Sequence, residues 1–266
     1  MERRLFDGIK RIIPIIFLPV IAGGCNINDF DSDPNAEYRD SFFYTRSTGA
    51  RTEFFIRNVN GELTIIGVDT LSEIRISGTR IVKDQTVDDA RQHIDDIEID
   101  LVESSSMLSV KTVQPNSSSG REYQVDYEVL VPSSWRVTAN NVNGGVEIAS
   151  IRNTVTTTAV NGSVNVTEIA GSTIVSLTNG KISGRVFLPE NGTCDLSLVN
   201  GNVNLLVPRA TSADVDATVA IGSVSVTNLP IVYTTDSRTA VSGVLGSGKG
   251  TIRLSSVNGI VQLIGF

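Results

Sequence analysis

The chain has 266 residues, of which 40% are apolar and 6% aromatic, with 22 basic residues, 29 acidic residues and a single histidine. A chain of this length can bury a sizeable core. Its net charge of −7 argues against nucleic acid as a partner, because binding to a phosphate backbone requires a basic surface.

The first 24 residues have the features of an export signal. Four basic residues precede an apolar run at positions 12–22, which prolines interrupt and which is short for a membrane span. The box Ile21-Ala22-Gly23-Gly24-Cys25 resembles the lipobox of bacterial lipoproteins, whose cysteine becomes the lipid-modified first residue. We therefore expect residues 1–24 to be a lipoprotein signal peptide. The alternative is an ordinary signal peptide with a chance cysteine.

Lipidation of Cys25 would anchor the protein to a membrane of the bacterial cell envelope. The outer membrane or cell surface is the favoured location, and the periplasmic face stays open. Residues 25–40 are polar and acidic, which is typical of a solvated tether. The motif Asp29-x-Asp31-x-Asp33 begins like a calcium loop, but Pro34 and Asp40 stand where that loop needs glycine and glutamate.

Residues 41–131 are predicted to form a β-rich N-terminal cap with one helix. Strand-like alternation covers positions 71–82, 97–102, 107–113 and 123–131. Thr86 and Asp89 resemble a capping box, and they precede apolar residues at helical spacing. His93 follows on this helix without a second histidine or a nearby cysteine, so we expect it to be structural rather than a metal ligand.

A tripeptide repeat, Val-Asn-Gly in its full form, dominates the second half of the chain. Alignment on the asparagine gives the pairs Asn60-Gly61, Asn143-Gly144, Asn161-Gly162, Asn179-Gly180, Asn200-Gly201, Ile221-Gly222 and Asn258-Gly259. Between Asn143 and Ile221 the copies are 18 or 21 residues apart. A fixed period of this length is the signature of stacked, similar units.

Period-two alternation on both sides of each pair makes the unit a strand, an Asn-Gly corner and a second strand. Glycine accepts positive φ, and asparagine tolerates it better than most residues. The repeat predicts an all-β fold in which residues 132–266 form a single-stranded parallel β-solenoid, or β-helix, of 18–21-residue coils. A meander of Asn-Gly hairpins fits the same alternation and stays open at this point.

An early Asn-Gly strand pair, a short helix, a strand ending in Val131-Pro132 and serial Asn-Gly repeats follow one another in this order. Residues 50–266 thereby resemble a bacterial adhesin-like family of domains of unknown function, which is similar to the head domains of autotransporter adhesins. The resemblance implies a β-solenoid on the outer side of a cell membrane, with no assigned catalytic residues. The pattern departs at residues 230–250, which we interpret as a loop leaving the stack.

Two carboxylates are the main candidates for chemistry. Asp195 and Asp216 stand in the same column, five residues before the asparagine position, so serial stacking places them on adjacent coils about 5 Å apart. At that separation they could serve a retaining glycosidase or hold a calcium ion. Their column faces solvent without nearby aromatic residues, and a solvated surface is the commoner role for such side chains.

Two further signals are weaker. The stretch from Gly243 to Thr251 nearly spells a P-loop, but Gly250 stands where a hydroxyl is needed and a strand pattern follows instead of a helix. Cys194 falls in an apolar column, where a small buried hydrophobe is expected.

Without a nucleophile beside a histidine or a nucleotide motif, the sequence predicts a non-catalytic envelope protein with no cofactor, which presents a surface to a protein or glycan partner. The alternative is a polysaccharide-active or calcium-binding solenoid that uses the two carboxylates.

Overall fold

The computed structural model describes residues 36–266, which form one 16-stranded sheet system and one short α-helix. The strands of the first half are β1 (Ala36–Ser47), β2 (Glu53–Arg57), β3 (Leu63–Val68), β4 (Glu73–Asp84), β5 (Glu98–Glu103), β6 (Met107–Val113) and β7 (Glu122–Pro132). Those of the second half are β8 (Arg136–Asn143), β9 (Val146–Ala149), β10 (Val155–Ile169), β11 (Thr173–Val186), β12 (Thr193–Val207), β13 (Ala213–Thr227), β14 (Ile231–Asp236), β15 (Ala240–Leu245) and β16 (Gly250–Gly265). The prediction of an all-β chain with one short helix is confirmed.

The repeat copies pair in parallel and in register. β10 pairs with β11 and β11 with β12, so that Asn161 is opposite Asn179 and Asn179 is opposite Asn200. In the earlier copies each unit is split into two strands: β8 and β9 pair with the two halves of β10, and β2 and β3 pair with β8 and β9. Because this pairing is parallel, the hairpin-meander alternative does not hold for the described residues.

The last copy of the repeat does not take the last place in the sheet. β16 lies between β12 and β13, so Asn258 pairs with Asn200 on one side and with Ile221 on the other. Strictly serial stacking was therefore the wrong expectation at this end. The cause is the connection between β13 and β16, which carries the chain away and returns it to the space between two earlier copies.

The segment at residues 230–250, expected as a loop leaving the stack, is mostly strand. β14 pairs antiparallel with β15, and β15 pairs antiparallel with β13. Alternate residues of β15 are buried, including Val241 and Leu245, so this hairpin adds an apolar row to the core. It also covers the first part of the backbone edge of β13, at residues 213–218, which would otherwise be exposed.

The other end is closed by a layer that lacks the Asn-Gly pair. β6 and β7 pair in parallel with β2 and β3, and residues 114–121 connect them where the other units have their repeat pair. Antiparallel strands follow outside this layer, with β5 on β6 and with β4 and then β1 on β7.

The predicted tether, residues 25–40, extends too far toward its carboxyl end. Residues 36–40 belong to β1, which is fully in register with β4, and Tyr38 packs against the core. Their acidic side chains have partners there, because Glu37 pairs with Arg39 and Asp40 with Arg80. Local charge therefore did not prevent strand formation. The remainder of the predicted tether lies outside the described residues.

Helix α1 (Val87–Gln92) begins as the capping motif predicts. The Thr86 hydroxyl accepts a hydrogen bond from the Asp89 backbone N–H at 3.1 Å and donates one to the Asp89 carboxylate at 2.7 Å. A short 3-10 helix, Ile94–Asp96, follows directly. Ala90 and Ile97 are buried, so the helical segment packs onto the core.

One hydrophobic core runs through the stack and includes residues on both sides of position 131, so the predicted boundary between cap and repeats stays a prediction. The apolar columns six and four residues before the asparagine position are buried in every copy, as is the column three residues after it. In β10 the buried positions are 155, 157 and 159 before the pair but 164 and 166 after it, with 169 also buried beyond a register shift at the end of the strand. The inward face therefore changes phase at the Asn-Gly pair, although the strand runs through it unbroken.

Candidate functional site

The repeat asparagines form a hydrogen-bonded ladder along the outside of the stack. Each side-chain amide donates to the side-chain carbonyl of the preceding asparagine. The donor-to-acceptor distances are 2.7 Å for Asn143 to Asn60, 2.8 Å for Asn161 to Asn143, 3.0 Å for Asn179 to Asn161, 2.9 Å for Asn200 to Asn179 and 2.8 Å for Asn258 to Asn200. The first amide, on Asn60, donates to the Tyr123 carbonyl, and Ile221 ends the row.

This ladder corrects the role that the sequence assigned to the asparagines. None of the six has positive φ, whereas the glycine after each does, with φ between 118° and 149°. The glycine is also required because its neighbour lies so close. A Cβ on Gly162, for example, would overlap the Gly144 carbonyl oxygen of the adjacent copy. Glycine therefore provides the backbone geometry, and asparagine provides the contact between copies.

Short polar side chains form a second regular row on the outer face. The hydroxyl row, three residues before the asparagine position, comprises Thr158, Ser176, Ser197, Ser255 and Thr218 in spatial order. Ser197 donates to Ser176 at 3.1 Å. The valine row, one residue before the asparagine, comprises Val142, Val160, Val199 and Val257, which are between 36% and 46% exposed. Parallel lines of hydroxyl, aliphatic and amide groups thus run along one face.

The two candidate carboxylates are not adjacent, and this expectation was wrong. Arg253 of β16 is the in-register partner of Asp195 on one side and of Asp216 on the other. Two strand spacings, or about 10 Å, therefore separate the acids, with a cation between them. The misplacement follows from the insertion of β16. Among residues 36–266 no group of three or more His, Cys, Asp or Glu side chains is arranged to hold a metal ion.

Cys194 is fully buried in its apolar column, as its position predicts. Burial raises the pKa of its thiol to about 12, and the nearby Asp195 acts in the same direction. The thiol is therefore protonated at neutral pH, which makes it a poor nucleophile.

His93 has a local partner. Its Nδ1 lies 2.8 Å from the Asp96 carboxylate, which also accepts a hydrogen bond from the Tyr123 hydroxyl at 2.9 Å. The His93 contact, and after it the Tyr123 contact, holds the pKa of the Asp96 carboxyl below its usual value. These contacts join the helical segment to β7, so the hydrogen bonds of His93 help to hold the fold together.

The stretch that resembles a P-loop is a strand-turn-strand connection. β15 ends at Leu245, and β16 begins at Gly250 without an intervening helix. The backbone N–H groups of Ser247 and Lys249 donate to the Ser212 hydroxyl, and the Lys249 ammonium pairs with Glu190 at 2.8 Å. The N–H groups of Ser247 and Lys249 and the lysine side chain thus already have protein partners.

Three cavities lie beside the ladder. One of about 530 Å³ lies at its start, between Asn60 and the 114–121 connection. A second, of about 480 Å³, is lined by Arg57 and Lys111 on the other side of that connection. The third, of about 350 Å³, lies between the hydroxyl and valine rows.

The sequence could have indicated the ladder, because asparagines repeated in register commonly stack their amides. The cavities depend on the 114–121 connection, which carries no repeat.

No family model matches the chain, and no curated protein matches it either. Among solved structures it is similar to the crystal structure of a "putative cell adhesion protein" from Clostridium sporogenes. The TM-score is 0.50, and the match covers 86% of this chain and 100% of that chain. Since the identity is 13%, the likeness shows the fold alone. It agrees with the resemblance to adhesin-like domains of unknown function.

The predicted lipidation site, Cys25, lies outside the described residues. Within residues 36–266, no helix has the length and apolar character needed to cross a membrane. Attachment to a membrane through a lipid on Cys25 stays a prediction.

Proposed function

We propose that this chain is a non-catalytic, lipid-anchored protein of the bacterial cell envelope whose repeat region is a β-solenoid with an adhesin-like outer face. The observation that carries the proposal is the in-register repetition of short polar side chains along that face. Such a surface offers hydrogen bonds at a regular spacing from a rigid sheet.

Three further observations support the proposal. The similar structure from Clostridium sporogenes bears a name that refers to cell adhesion. The signal-like start and Cys25 would deliver the domain to a membrane surface. The parallel pairing, together with the change of inward face at each Asn-Gly pair, is what successive coils of a solenoid would show.

The two-carboxylate alternative loses its geometric basis, because Arg253 separates Asp195 from Asp216. A retaining hydrolase needs its acids about 5–5.5 Å apart, and a calcium ion needs several oxygen ligands around it.

The proposal is tested in cells that carry the full chain on their envelope. Cells with the wild-type protein should attach to immobilised envelope or extracellular material, and cells with Cys25→Ser, which keep the protein as unprocessed precursor, should attach less. Purified wild-type protein should release no reducing ends from polysaccharides. Equal attachment of cells with and without the gene would refute the adhesive role, and released sugar ends would refute its non-catalytic character.

A further inference from the structure

A shallow trough runs along the outer face beside the asparagine ladder. One wall is the hydroxyl row, and the other is the valine row with Thr178 in the place of a valine. The floor is formed by the buried side chains of Ala159, Leu177 and Leu198. This stretch, with a volume of about 350 Å³, spans β10, β11, β12 and β16 and so presents similar chemistry on four adjacent strands.

The cavity with the two cations lies in line with this trough, on the far side of β8 toward β6. Arg57 is in register with Asn140, and Asn140 is in register with Thr158 of the hydroxyl row. Lys111 is the next residue in that row beyond Arg57. On the opposite wall Val59 and Val113 continue the aliphatic side. The hydroxyl wall therefore becomes cationic at one end, where the 114–121 connection closes the trough.

The two cations are available to a ligand. Arg57 and Lys111 are exposed neighbours on adjacent strands, and neither forms an ion pair within 4 Å with another described residue. Asp100 is the in-register neighbour of Lys111 on its other side, so the end of the trough holds two cations and one carboxylate. In the same cavity the Gln114 side-chain oxygen is buried without a hydrogen-bond partner.

The repetition of the trough selects the kind of ligand. Similar groups recur at each strand, about 4.8 Å apart, so a polymer of similar units matches them better than a protein surface of varied side chains. An extended peptide could not join as an extra strand, since the backbones of these strands already pair with one another on both sides. Sugar rings carry hydroxyls at their edges and C–H groups on their faces, which suit a hydroxyl wall opposite an aliphatic one.

We infer that the trough binds a linear acidic polysaccharide, with sugar hydroxyls along the hydroxyl row and a sugar carboxylate at Arg57 and Lys111. This inference rests on the proposed adhesive function and narrows it to one class of partner. The net charge of −7 disfavours acidic groups over the rest of the surface, so the local excess of positive charge at Arg57 and Lys111 is what attracts a sugar carboxylate to this end of the trough.

The test uses the full chain in detergent, with polygalacturonate and alginate as acidic probes and dextran as a neutral one, in affinity electrophoresis. The double variant Arg57→Glu, Lys111→Glu should weaken binding to the acidic probes at least about tenfold, because charge-assisted hydrogen bonds are lost and repulsion replaces them. Ser176→Trp should also weaken binding by filling the trough. Added salt should weaken it in the wild type.

Two variants serve as matched controls. Lys181→Glu reverses an exposed charge, and Ser183→Trp adds an indole; both lie on β11 with Ser176 but on the other side of Asn179. Both controls should bind as the wild type does. Equal binding of dextran and the acidic probes, or equal effects of the Arg57, Lys111 pair and the Lys181 control, would overturn the inference. Cells that attach although the purified protein binds no acidic probe would refute this inference alone, whereas cells that fail to attach would refute the proposed function.

Discussion

Gly144 and Gly145 are adjacent in sequence but differ in what surrounds them. A comparison of the two distinguishes a close contact with the backbone of a neighbouring strand from a close contact with a movable side chain. Gly144 has φ of 118°, and a Cβ there would overlap the Gly61 carbonyl oxygen of the neighbouring copy. Gly145 has no positive φ, and its Cβ would meet only the carboxylate end of the exposed Glu62 side chain. Backbone atoms held in a parallel sheet cannot move aside without loss of register, whereas the end of a side chain can.

Gly144→Ala should therefore cost much more stability than Gly145→Ala. Positive φ on alanine costs about 1–3 kcal/mol, and a methyl group forced against packed atoms costs about 1–3 kcal/mol, so we expect a loss of about 2–6 kcal/mol at Gly144. At Gly145 the loss is the hydrogen bond from its N–H to Glu62, 3.0 Å long, which contributes about 0.5–1.5 kcal/mol.

Urea denaturation of the purified protein, followed by the fluorescence of Trp135, measures both changes, because this single tryptophan is buried. The midpoint should fall much further for Gly144→Ala than for Gly145→Ala, without a change in slope. Equal midpoints would show that neither the positive φ nor the close approach of Gly61 constrains the stack.

Three further predictions concern the core, the ladder and the anchor. Val164→Asp should lower the free energy of unfolding by more than about 4 kcal/mol, because it leaves a charge unpaired in the core. The same change at the exposed Val160 should be tolerated, and thermal denaturation compares the two variants. Asn179→Ala removes two ladder hydrogen bonds and Asn258→Ala removes one. Urea denaturation should therefore show that the free energy of unfolding falls by about 1–3 kcal/mol for Asn179→Ala and by about 0.5–1.5 kcal/mol for Asn258→Ala. A larger loss for Asn258→Ala would contradict the expectation that the ladder hydrogen bonds contribute additively. Cys25→Ser should abolish acylation and leave unprocessed precursor, and a wild-type N-terminus without lipid in mass spectrometry would refute the anchor.

The repeat columns were predictable because each is set by local chemistry. Alternation fixed which side chains are buried, and a glycine in every copy indicated a position with unusual backbone. Neither signal says which strand lies beside which. The place of β16 depends on a hairpin, β14 and β15, whose sequence shows no repeat, so the expected contact between Asp195 and Asp216 was wrong. The trough could not be predicted from the sequence for a related reason. Its cationic end is formed by β2 and β6, which are far apart in sequence.

The position of β16 also predicts that the repeat units tolerate deletion unequally. Deletion of residues 153–170 removes β10 and leaves β8 facing β11, with Val137 opposite Thr173 and Asn143 opposite Asn179, because β10 pairs both strands in the same register. We expect a folded, shorter protein with one cooperative urea transition.

A chain that ends at Lys249 loses β16 from between β12 and β13, together with the buried Leu254, Val261 and Leu263. Each of these side chains contributes about 1.5–3 kcal/mol, so their sum approaches the whole stability of a typical domain. This truncation should fail to fold, although a serially stacked chain would lose only a terminal coil. Circular dichroism and protease resistance compare the two deletions, and a truncated protein as resistant as the wild type would contradict the central position of β16.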